Sequence, residues 1–351
     1  MPDSYRIAIV GATSLRGKEL NDALGESPFA ASEIVLMDDE SATGQLDTSG
    51  EEIAFIQKVE ATSFERMDFV FFTSNEETTR RHWAAALQAG ASVVDLTGAI
   101  ESEPKVLVRA PWISEEINAA SPAEAPDART PDLRTPGVVP AHPAAVALGL
   151  LLARVKDAAA VRSAWATILE PASEHGRGAM DELHQQTVTL LSFQTLPRDI
   201  YDAQVAFNLL PVLGEAAKIN LTATADRIRR HYALVSAGRL PEVGIQLIHV
   251  PVFHGYGISL GVELEQAATL EHLEAALSGD HVDVMLGDAD APSNLSSAGQ
   301  DEILVRLRAE DAPQSRRFWI WASMDNLKIA AENALACALE LRRLRPQGTV
   351  Q

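Results

Sequence analysis

Residues 5–17 read YRIAIVGATSLRG, and this stretch decides the fold of the first part of the chain. Tyr5–Val10 is short, apolar and rich in β-branched residues, which predicts a buried strand that ends at Gly11. Leu15–Leu24 then has apolar residues at helical spacing. A strand, a glycine turn and a helix in this order are typical of the start of a doubly wound α/β domain.

The alternation of strands and helices continues through the first part of the chain. Further buried strands are predicted at Glu33–Met37, Phe69–Thr73 and Ser92–Leu96, with a crossover helix at Glu76–Ala89. This order predicts a parallel sheet with ligands at the carboxyl ends of its strands. Residues 119–137 are rich in Pro, Ala, Asp and Thr, which indicates an exposed connector.

After residue 138 the pattern changes to longer helices and clustered strands, which indicates a second domain of α+β type. Helices are predicted at 144–156, 178–192, 219–234 and 325–342. Strands are predicted at 163–169, 247–253, 257–263, 302–307 and 317–321. A chain of 351 residues is also long enough for two domains.

Composition excludes several classes of function. The formal net charge of −20 argues against binding to nucleic acid or to an anionic membrane surface, because both would repel the chain. No run of apolar residues is long enough for a membrane span. The first strand begins within five residues of the start, and the single cysteine, Cys337, cannot form an intrachain disulfide. These features predict a cytoplasmic protein.

The glycine turn is a candidate phosphate site, formed by Gly11, Thr13, Ser14 and Leu15. A phosphate can approach such a turn closely, and the following helix offers free N–H groups. Ser14 occupies the place of the middle glycine in the dinucleotide fingerprint, so a strand-to-helix turn without a ligand remains an equal alternative.

The acidic cluster Asp38-Asp39-Glu40 follows the second strand. Asp38 is placed to bind a ribose 2′-hydroxyl, which favours NAD over NADP, although an exposed acidic loop is an equally good interpretation. The nine histidines form no metal-binding signature, so no metal site is predicted.

Several ordered segments resemble the aspartate-semialdehyde dehydrogenase family along nearly the whole chain. IAIVGATSLRGKEL is similar to the family's GATGxVG turn, and GVVPAHPAAVAL stands where ANPNCST is expected. EPASEHGRGAMDEL resembles YQAVSGAGxxGMEEL, VAFNLLPVLGE resembles AFNxIPxIG, and HVPVFHGYGISLGVELEQ resembles RVPVxxGHSExVxVE. VFFTSNEETTRRHWAAALQAGASVVDLTGAI leads to the family's SGAFR segment, and SMDNLKIAAENALACALEL resembles SDNLRKGAALNAVQIAE.

The resemblance implies a Rossmann-type dinucleotide-binding domain at residues 1–137 together with 324–351, the latter a returning C-terminal helix. It implies a dimerisation and substrate domain, like that of glyceraldehyde-phosphate dehydrogenase, at residues 138–323. The family reduces aspartyl phosphate to aspartate semialdehyde with NADP, in amino-acid biosynthesis. A cysteine attacks the acyl carbon, a histidine handles protons, and arginines hold the anionic groups.

The chain departs from this pattern at the catalytic positions. The nucleophile's place holds Pro143, which has no nucleophilic atom, and Cys337 lies in the closing helix, where a cysteine is expected to be a core residue. The family's glutamine becomes Glu170 and its acid/base histidine becomes Tyr256. Its two arginines become Glu101 and His249, and replacing a guanidinium by a carboxylate turns attraction for an anion into repulsion.

The cofactor side is altered as well. The position of the arginine that binds the NADP 2′-phosphate holds Glu40, so NADP is disfavoured, while NAD remains compatible through Asp38. Asn326 matches the family residue near the nicotinamide. Absence of any bound nucleotide is the third alternative. The combination resembles the Usg-type paralogues of the family, which also depart at catalytic positions.

These observations leave three hypotheses. The first is a homodimeric relative without the family activity, which could also associate with a true dehydrogenase. The second is a different acid/base or metal-assisted enzyme, or a metabolite-binding or interaction protein, on the same scaffold. The family pattern places seven polar residues around one cleft: His142, Glu170, Glu174, His175, His249, His254 and Tyr256. The third is an ordinary family enzyme with Cys337 as nucleophile.

Overall fold

The computed structural model describes residues 4–39, 46–49, 52–120 and 130–345. These form two compact units. The first unit comprises residues 1–112, 123–141 and 330–351, and the second comprises 113–122 and 142–329. The sequence predicted borders between the domains after residues 137 and 323, and the units change after residues 141 and 329. In addition, part of the helix at Pro111–Ala120 groups with the second unit.

The first unit is built around a seven-stranded sheet with the order β5-β2-β1-β6-β7-β9-β8, in which all pairs are parallel. Its strands are β1 (Arg6–Val10), β2 (Glu33–Asp38), β5 (Gln57–Lys58), β6 (Phe69–Phe72), β7 (Ser92–Asp95), β8 (Leu107–Arg109) and β9 (Val138–Pro140). A separate hairpin pairs β3 (Leu46–Ser49) with β4 (Glu52–Phe55). Its helices are α1 (Leu15–Gly25) and α2 (Glu76–Gln88), while α3 (Pro111–Ala120) begins in this unit and continues in the second.

Alternation along β1 fills a core on each face of this sheet, because successive side chains of a strand point to opposite faces. Ile7 and Ile9 belong to a cluster with Leu20 of α1 and with the last helix of the chain, α8 (Asn326–Arg342). Ala8 and Val10 belong to the other cluster, which includes Ala86 of α2. The chain is therefore doubly wound, as predicted.

A buried ion pair fixes the returning helix α8 within the first unit. Arg109, at the end of β8, donates from Nε and Nη2 to the two carboxylate oxygens of Glu340 at 3.0 and 2.6 Å. Asn333, about two helical turns before Glu340, donates from Nδ2 to the backbone oxygens of Arg109 and Ala141. Since both strand ends are held by polar groups of α8, the helix is an integral part of this unit.

The second unit contains a six-stranded mixed sheet with the order β11-β10-β12-β15-β14-β13. Its strands are β10 (Val161–Glu170), β11 (Val243–His249), β12 (Tyr256–Ala268), β13 (Val282–Val284), β14 (Ile303–Ala309) and β15 (Ser315–Met324). Its helices are α4 (Pro143–Ala158), α5 (Arg177–Leu191), α6 (Leu221–Ser236) and α7 (Leu270–Leu277). The predicted fold class, a Rossmann-type sheet followed by an α+β domain, is confirmed.

One strand prediction in this unit is wrong in its bounds. The predicted strand at 247–253 is observed as β11 at Val243–His249, in parallel register with β10 so that Glu170 lies beside His249. Pro251 has no N–H to donate to a neighbouring strand, which explains why the strand ends before it. The register places a carboxylate and an imidazole side by side at the strand ends.

Candidate functional site

Glycines are required at both ends of the turn after β1. Gly11 has a φ of +96°, and a Cβ there would lie 2.4 Å from the backbone nitrogen of Ser74. A Cβ on Gly17 would lie 2.2 Å from the carbonyl oxygen of Gly11. These contacts bring α1 against the strands as closely as a dinucleotide-binding turn requires.

Ser14 uses its side chain to begin α1. Its Oγ accepts a hydrogen bond from Gly17 N at 2.9 Å and donates to the carbonyl oxygen of Thr73 at 3.0 Å. This is the N-cap arrangement, and Leu15 follows as the first helical residue. The serine that replaces the middle glycine therefore has a local structural role, and its Cβ stands where a fingerprint glycine would let a pyrophosphate approach the backbone.

Asp38, at the end of β2, is brought to the glycine turn. Its carboxylate is 6% exposed, and Oδ2 accepts hydrogen bonds from the backbone N and the Oγ1 of Thr13 at 2.9 and 2.6 Å. The carboxylate thus holds the turn in shape and sits at the N-terminal end of α1, where negative charge is favoured. Glu40, the residue predicted to disfavour NADP, lies outside the described residues.

His142 and Pro143 begin α4 in the second unit, at the position where the family pattern expects its nucleophile. Pro143 is the first helical residue and is buried. The Nδ1 of His142 accepts a hydrogen bond from Ala144 N at 3.2 Å, and its backbone N donates to Nδ1 of His231 at 2.9 Å. Its Nε2 lies 3.4 Å from a carboxylate oxygen of Glu174. The helix start is therefore organised by an imidazole, with proline in its favoured position.

Three of the predicted site residues form one buried group. Glu170 ends β10 with no exposure, and its Oε2 lies 2.9 Å from Nε2 of His175 and 3.6 Å from Nδ1 of His249. Burial raises the pKa of Glu170, but the charge and hydrogen bond of His175, with a further contribution from His249, lower it more. The net effect is a pKa below the usual value, so Glu170 is ionised beside two imidazoles.

Asn326, predicted to lie near a nicotinamide, is engaged within the second unit. Its Oδ1 accepts hydrogen bonds from the Ser173 hydroxyl at 3.0 Å and from Gly255 N at 3.2 Å. Its Nδ2 donates to Glu174 at 3.3 Å. These bonds connect the turn after β10 to the turn before β12, and they leave the amide little capacity for a cofactor.

Three further predicted site residues are Tyr256, His254 and Glu101, and only the first has a described contact with another predicted site residue. Tyr256 is fully buried, with its ring centroid 5.9 Å from that of His142 in an edge-to-face arrangement. His254 is half-buried, two residues earlier. Glu101 belongs to the first unit, whereas the other predicted catalytic positions belong to the second.

Sequence reasoning missed a set of residues that supports His249. The ring of Tyr201 lies 4.8 Å from that of His249. The segment around Tyr201 is held by two buried side chains of α5: Glu182 accepts from Ile200 N at 2.7 Å, and Gln186 donates to Pro197 O and Ala203 O at 2.8 and 2.9 Å. No local sequence motif indicates these contacts, because they depend on the irregular loop between α5 and α6.

Cys337 lies in the core of the first unit, on α8. Its side chain has no exposure, and its sulfur is 3.8 Å from the carbonyl oxygen of Arg109. Burial is the main cause that raises the pKa of this thiol well above its usual range. The thiol and Pro143 belong to different units.

Two further features that bear on function are clusters of metal-ligating side chains and helices that could span a membrane. Within the described ranges, no group of three or more His, Cys, Asp or Glu side chains could hold a metal ion. No helix in the part of the chain that the structure describes is long and apolar enough to cross a membrane.

Comparison with known proteins agrees with this geometry. Residues 6–125 match the NAD binding domain of semialdehyde dehydrogenases, and residues 152–329 match their dimerisation domain. Aspartate-semialdehyde dehydrogenase of Rickettsia bellii is 25% identical over 97% of this chain and 98% of its own length. A USG-1 protein homologue of Pseudomonas aeruginosa is 29% identical over 95% of this chain and 97% of its own length.

Solved structures show the same architecture. Aspartate semialdehyde dehydrogenase II from Vibrio cholerae superposes with a TM-score of 0.82 at 23% identity, covering 97% of this chain and 99% of that one. A probable aspartate-semialdehyde dehydrogenase from Pseudomonas aeruginosa superposes with a TM-score of 0.82 at 27% identity, with the same coverage. On the two domain matches, which together span most of its length, the chain belongs to the semialdehyde dehydrogenase family.

Proposed function

We propose that this chain is a homodimeric member of the semialdehyde dehydrogenase family that does not carry out the thiol-dependent reduction of an acyl phosphate. One observation carries the proposal: proline begins α4 where the family pattern expects the nucleophile, and the chain's single cysteine is in the core of the other unit. A thiolate is the attacking species in such chemistry, and a proline ring supplies no equivalent atom.

The neighbouring groups do not replace the missing thiol. Both ring nitrogens of His142 face groups of the protein, one at Ala144 N and the other near Glu174. Cys337 has a raised pKa, so little thiolate is available at neutral pH, and its full burial denies access to a substrate.

The charge of the site also opposes an anionic substrate. Within the second unit, one arginine position of the family pattern holds His249, and the glutamine position holds ionised Glu170. At about 4 Å and an effective dielectric of about 20, a pair of like unit charges repels by about 4 kcal/mol. An acyl phosphate would therefore bind much more weakly here than in a site lined with guanidinium groups.

For the cofactor, we propose NAD ahead of NADP, with weak binding or none. The close glycine turn and the acid at the end of β2 fit the ribose of NAD, since Asp38 Oδ1 accepts one hydrogen bond, from the adjacent Asp39 N, among the described residues. Ser14 and the negative charge of Asp38 disfavour a further phosphate at the turn. Calorimetric titration with each nucleotide tests this, and tighter binding of NADP than of NAD would reject it.

The experiment for the main proposal is an NADPH-coupled assay with aspartyl phosphate, and with the semialdehyde in reverse. We expect no turnover approaching the roughly 10 per second of an ordinary enzyme. A family member with the thiol serves as positive control, and Cys337→Ser is the matched variant. Ordinary turnover by the native chain would overturn the proposal, and its loss in Cys337→Ser would identify the true nucleophile.

We propose that the homodimer forms through the second unit, whose sheet has one face that is only partly covered. Trp165 of β10 is 37% exposed on this face and packs edge-to-face on Trp319 of β15, with ring centroids 5.8 Å apart. Gly261 between them makes room, because a Cβ there would lie 2.3 Å from the Trp165 ring. A partly exposed pair of tryptophans is typical of an interface centre.

Sedimentation of the native chain and of Trp165→Glu tests this assignment. We expect a dimer that becomes a monomer in the variant, because a buried carboxylate would lack a partner. A native monomer, or a dimer unaffected by the substitution, would contradict it. Association with a true dehydrogenase is tested by co-purification, and a cytoplasmic location by cell fractionation.

A further inference from the structure

A cavity of about 640 Å³ opens on the surface of the second unit, where the neighbouring helices α4 and α6 both end. Small-molecule sites in proteins have volumes of roughly 300–1,000 Å³. The walls come from the ends of α3 and α4 and from residues 238–241, which follow α6. The described residues that line the cavity include none of the predicted site positions, so it is separate from the group around Glu170.

The wall that follows α6 is held by hydrogen bonds within the second unit. The hydroxyl of Tyr232 donates to the carbonyl oxygen of Pro241 at 2.6 Å. The guanidinium of Arg239 donates to Asn118 Oδ1 and to the carbonyl oxygen of Ile117, each at 2.7 Å. A wall fixed in this way is preformed, which lowers the cost of ordering the site when a ligand binds.

Apolar side chains form the inner surface of the cavity. Ile117 and Ala153 are buried, and Val161, Leu240 and Pro241 are partly buried beside them. An aliphatic group placed against these side chains would leave water, which is the favourable term for binding an apolar ligand.

Two charged groups at the exposed rim remain available to a ligand. The Lys156 ammonium donates one of its three N–H groups to the carbonyl oxygen of Arg239, at 2.6 Å. The carboxylate of Asp157 has neither a hydrogen bond nor an ion pair among the described residues. The other two charged side chains that line the cavity are engaged, Glu116 with Arg154 at 3.1 Å and Arg239 with α3.

The position of Asp157 opposes the ordinary charge preference of a helix. Asp157 lies in the last turn of α4 (Pro143–Ala158), where the helix dipole disfavours a negative charge and favours the neighbouring Lys156. Since no cation of the described chain pairs with Asp157, its charge is free to hold a cationic group of a ligand.

We propose that this cavity binds a free α-amino acid with an aliphatic side chain. The ligand's ammonium group pairs with Asp157, its carboxylate pairs with Lys156, and its side chain lies against Ile117 and Ala153. A ligand with a single charge would be attracted by one rim group and repelled by the other. The proposal goes beyond the proposed function and does not depend on it, because no residue of the cavity belongs to the thiol chemistry.

The test is isothermal titration calorimetry of the full chain with L-leucine as the probe. Leucinamide lacks the carboxylate, 4-methylpentanoate lacks the ammonium group, and glycine lacks the aliphatic side chain. We expect one leucine to bind per chain with a Kd of about 1 mM or below. Each of the three analogues should bind at least about fivefold more weakly, because each loses one of the three contacts.

Two variants connect the binding to the cavity. Asp157→Asn should weaken leucine by about fivefold or more and should not weaken 4-methylpentanoate, which has no ammonium group to lose a partner. Lys156→Gln should weaken leucine to a similar extent and should not weaken leucinamide. Asp181→Asn removes an exposed acid of α5 outside the cavity and is the matched control, so it should bind each ligand as the native chain does.

Each other outcome overturns the proposal. Absence of saturable binding by the native chain at about 10 mM leucine would exclude the site. Equal affinity for leucine and for either singly charged analogue would reject the assigned ligand class. Leucine binding that is unchanged in both Asp157→Asn and Lys156→Gln would place the ligand elsewhere, and circular dichroism of the variants guards against loss of fold. None of these titrations includes a nucleotide or an acyl phosphate, so their failure is distinct from failure of the proposed function.

Discussion

Replacing Asp38 by Ala tests the central feature of the glycine turn. The Asp38 carboxylate accepts two hydrogen bonds from Thr13, at 2.9 and 2.6 Å, and lies at the start of α1. A hydrogen bond to a charged acceptor contributes about 1.5–3 kcal/mol. The Thr13 hydroxyl can turn to water in the variant, so only the amide bond is counted, together with about 0.5 kcal/mol for the helix dipole. The expected loss is about 2–3.5 kcal/mol.

The assay is differential scanning calorimetry combined with hydrogen exchange at residues 13–20. For a domain of this size, each kcal/mol lowers Tm by about 2–4 °C, so the transition of the first unit should fall by about 4–14 °C. Asp38→Asn keeps an acceptor and should lose about half as much. Asp39→Ala, next to it and exposed, should change stability by less than about 0.5 kcal/mol. Equal effects of Asp38→Ala and Asp39→Ala would refute the reasoning.

Three further predictions concern buried groups. In the native chain Cys337 should react with a thiol reagent far more slowly than in the unfolded chain, because the first unit must open first, and equal rates in the native and unfolded chains would contradict its burial. Gln186→Leu should destabilise the second unit by about 3 kcal/mol and speed amide exchange at residues 197–206, whereas Gln185→Leu, at the exposed neighbouring position, should change neither; unchanged exchange in Gln186→Leu would refute the role of these hydrogen bonds. Because folding lowers the pKa of Glu170, its ionised carboxylate stabilises the fold at pH values above the ordinary pKa of 4.5, and this stabilisation is lost as the pH falls through the lowered pKa. Denaturant titrations at several pH values should therefore show a decline in the free energy of unfolding at low pH, and this decline should be smaller in Glu170→Gln.

Much of the fold follows from the sequence because the strongest local patterns coincide with real elements. The run at residues 5–10 and the apolar spacing of 15–24 correspond to β1 and α1, within one residue at each end. The three-residue strands β8 and β9 were missed, since they are too short for periodicity to register. The bounds of β11 were misjudged because the register with β10 is a tertiary property.

The site was predictable only in part. Glu170, His175 and His249 were named together, and the register of β10 and β11 places them side by side. That Asp38 faces a ribose stays a prediction; its Oδ2 accepts two hydrogen bonds from Thr13, 25 residues earlier in the chain, and sequence spacing does not reveal this tertiary contact. The contribution of Tyr201 was missed because it depends on a loop held by α5 and has no motif of its own.

The return of α8 to the first unit sets the order in which the chain can mature. Ala334, Leu335 and Ala338 belong to the core beside β1, so the earlier part of the first unit lacks these side chains until α8 has been synthesised. The second unit is almost continuous between residues 142 and 329 and is synthesised before these side chains. During translation the sheet of the first unit therefore keeps apolar surface uncovered while the whole second unit is synthesised. A chain stalled before residue 330 would be a natural client for chaperones.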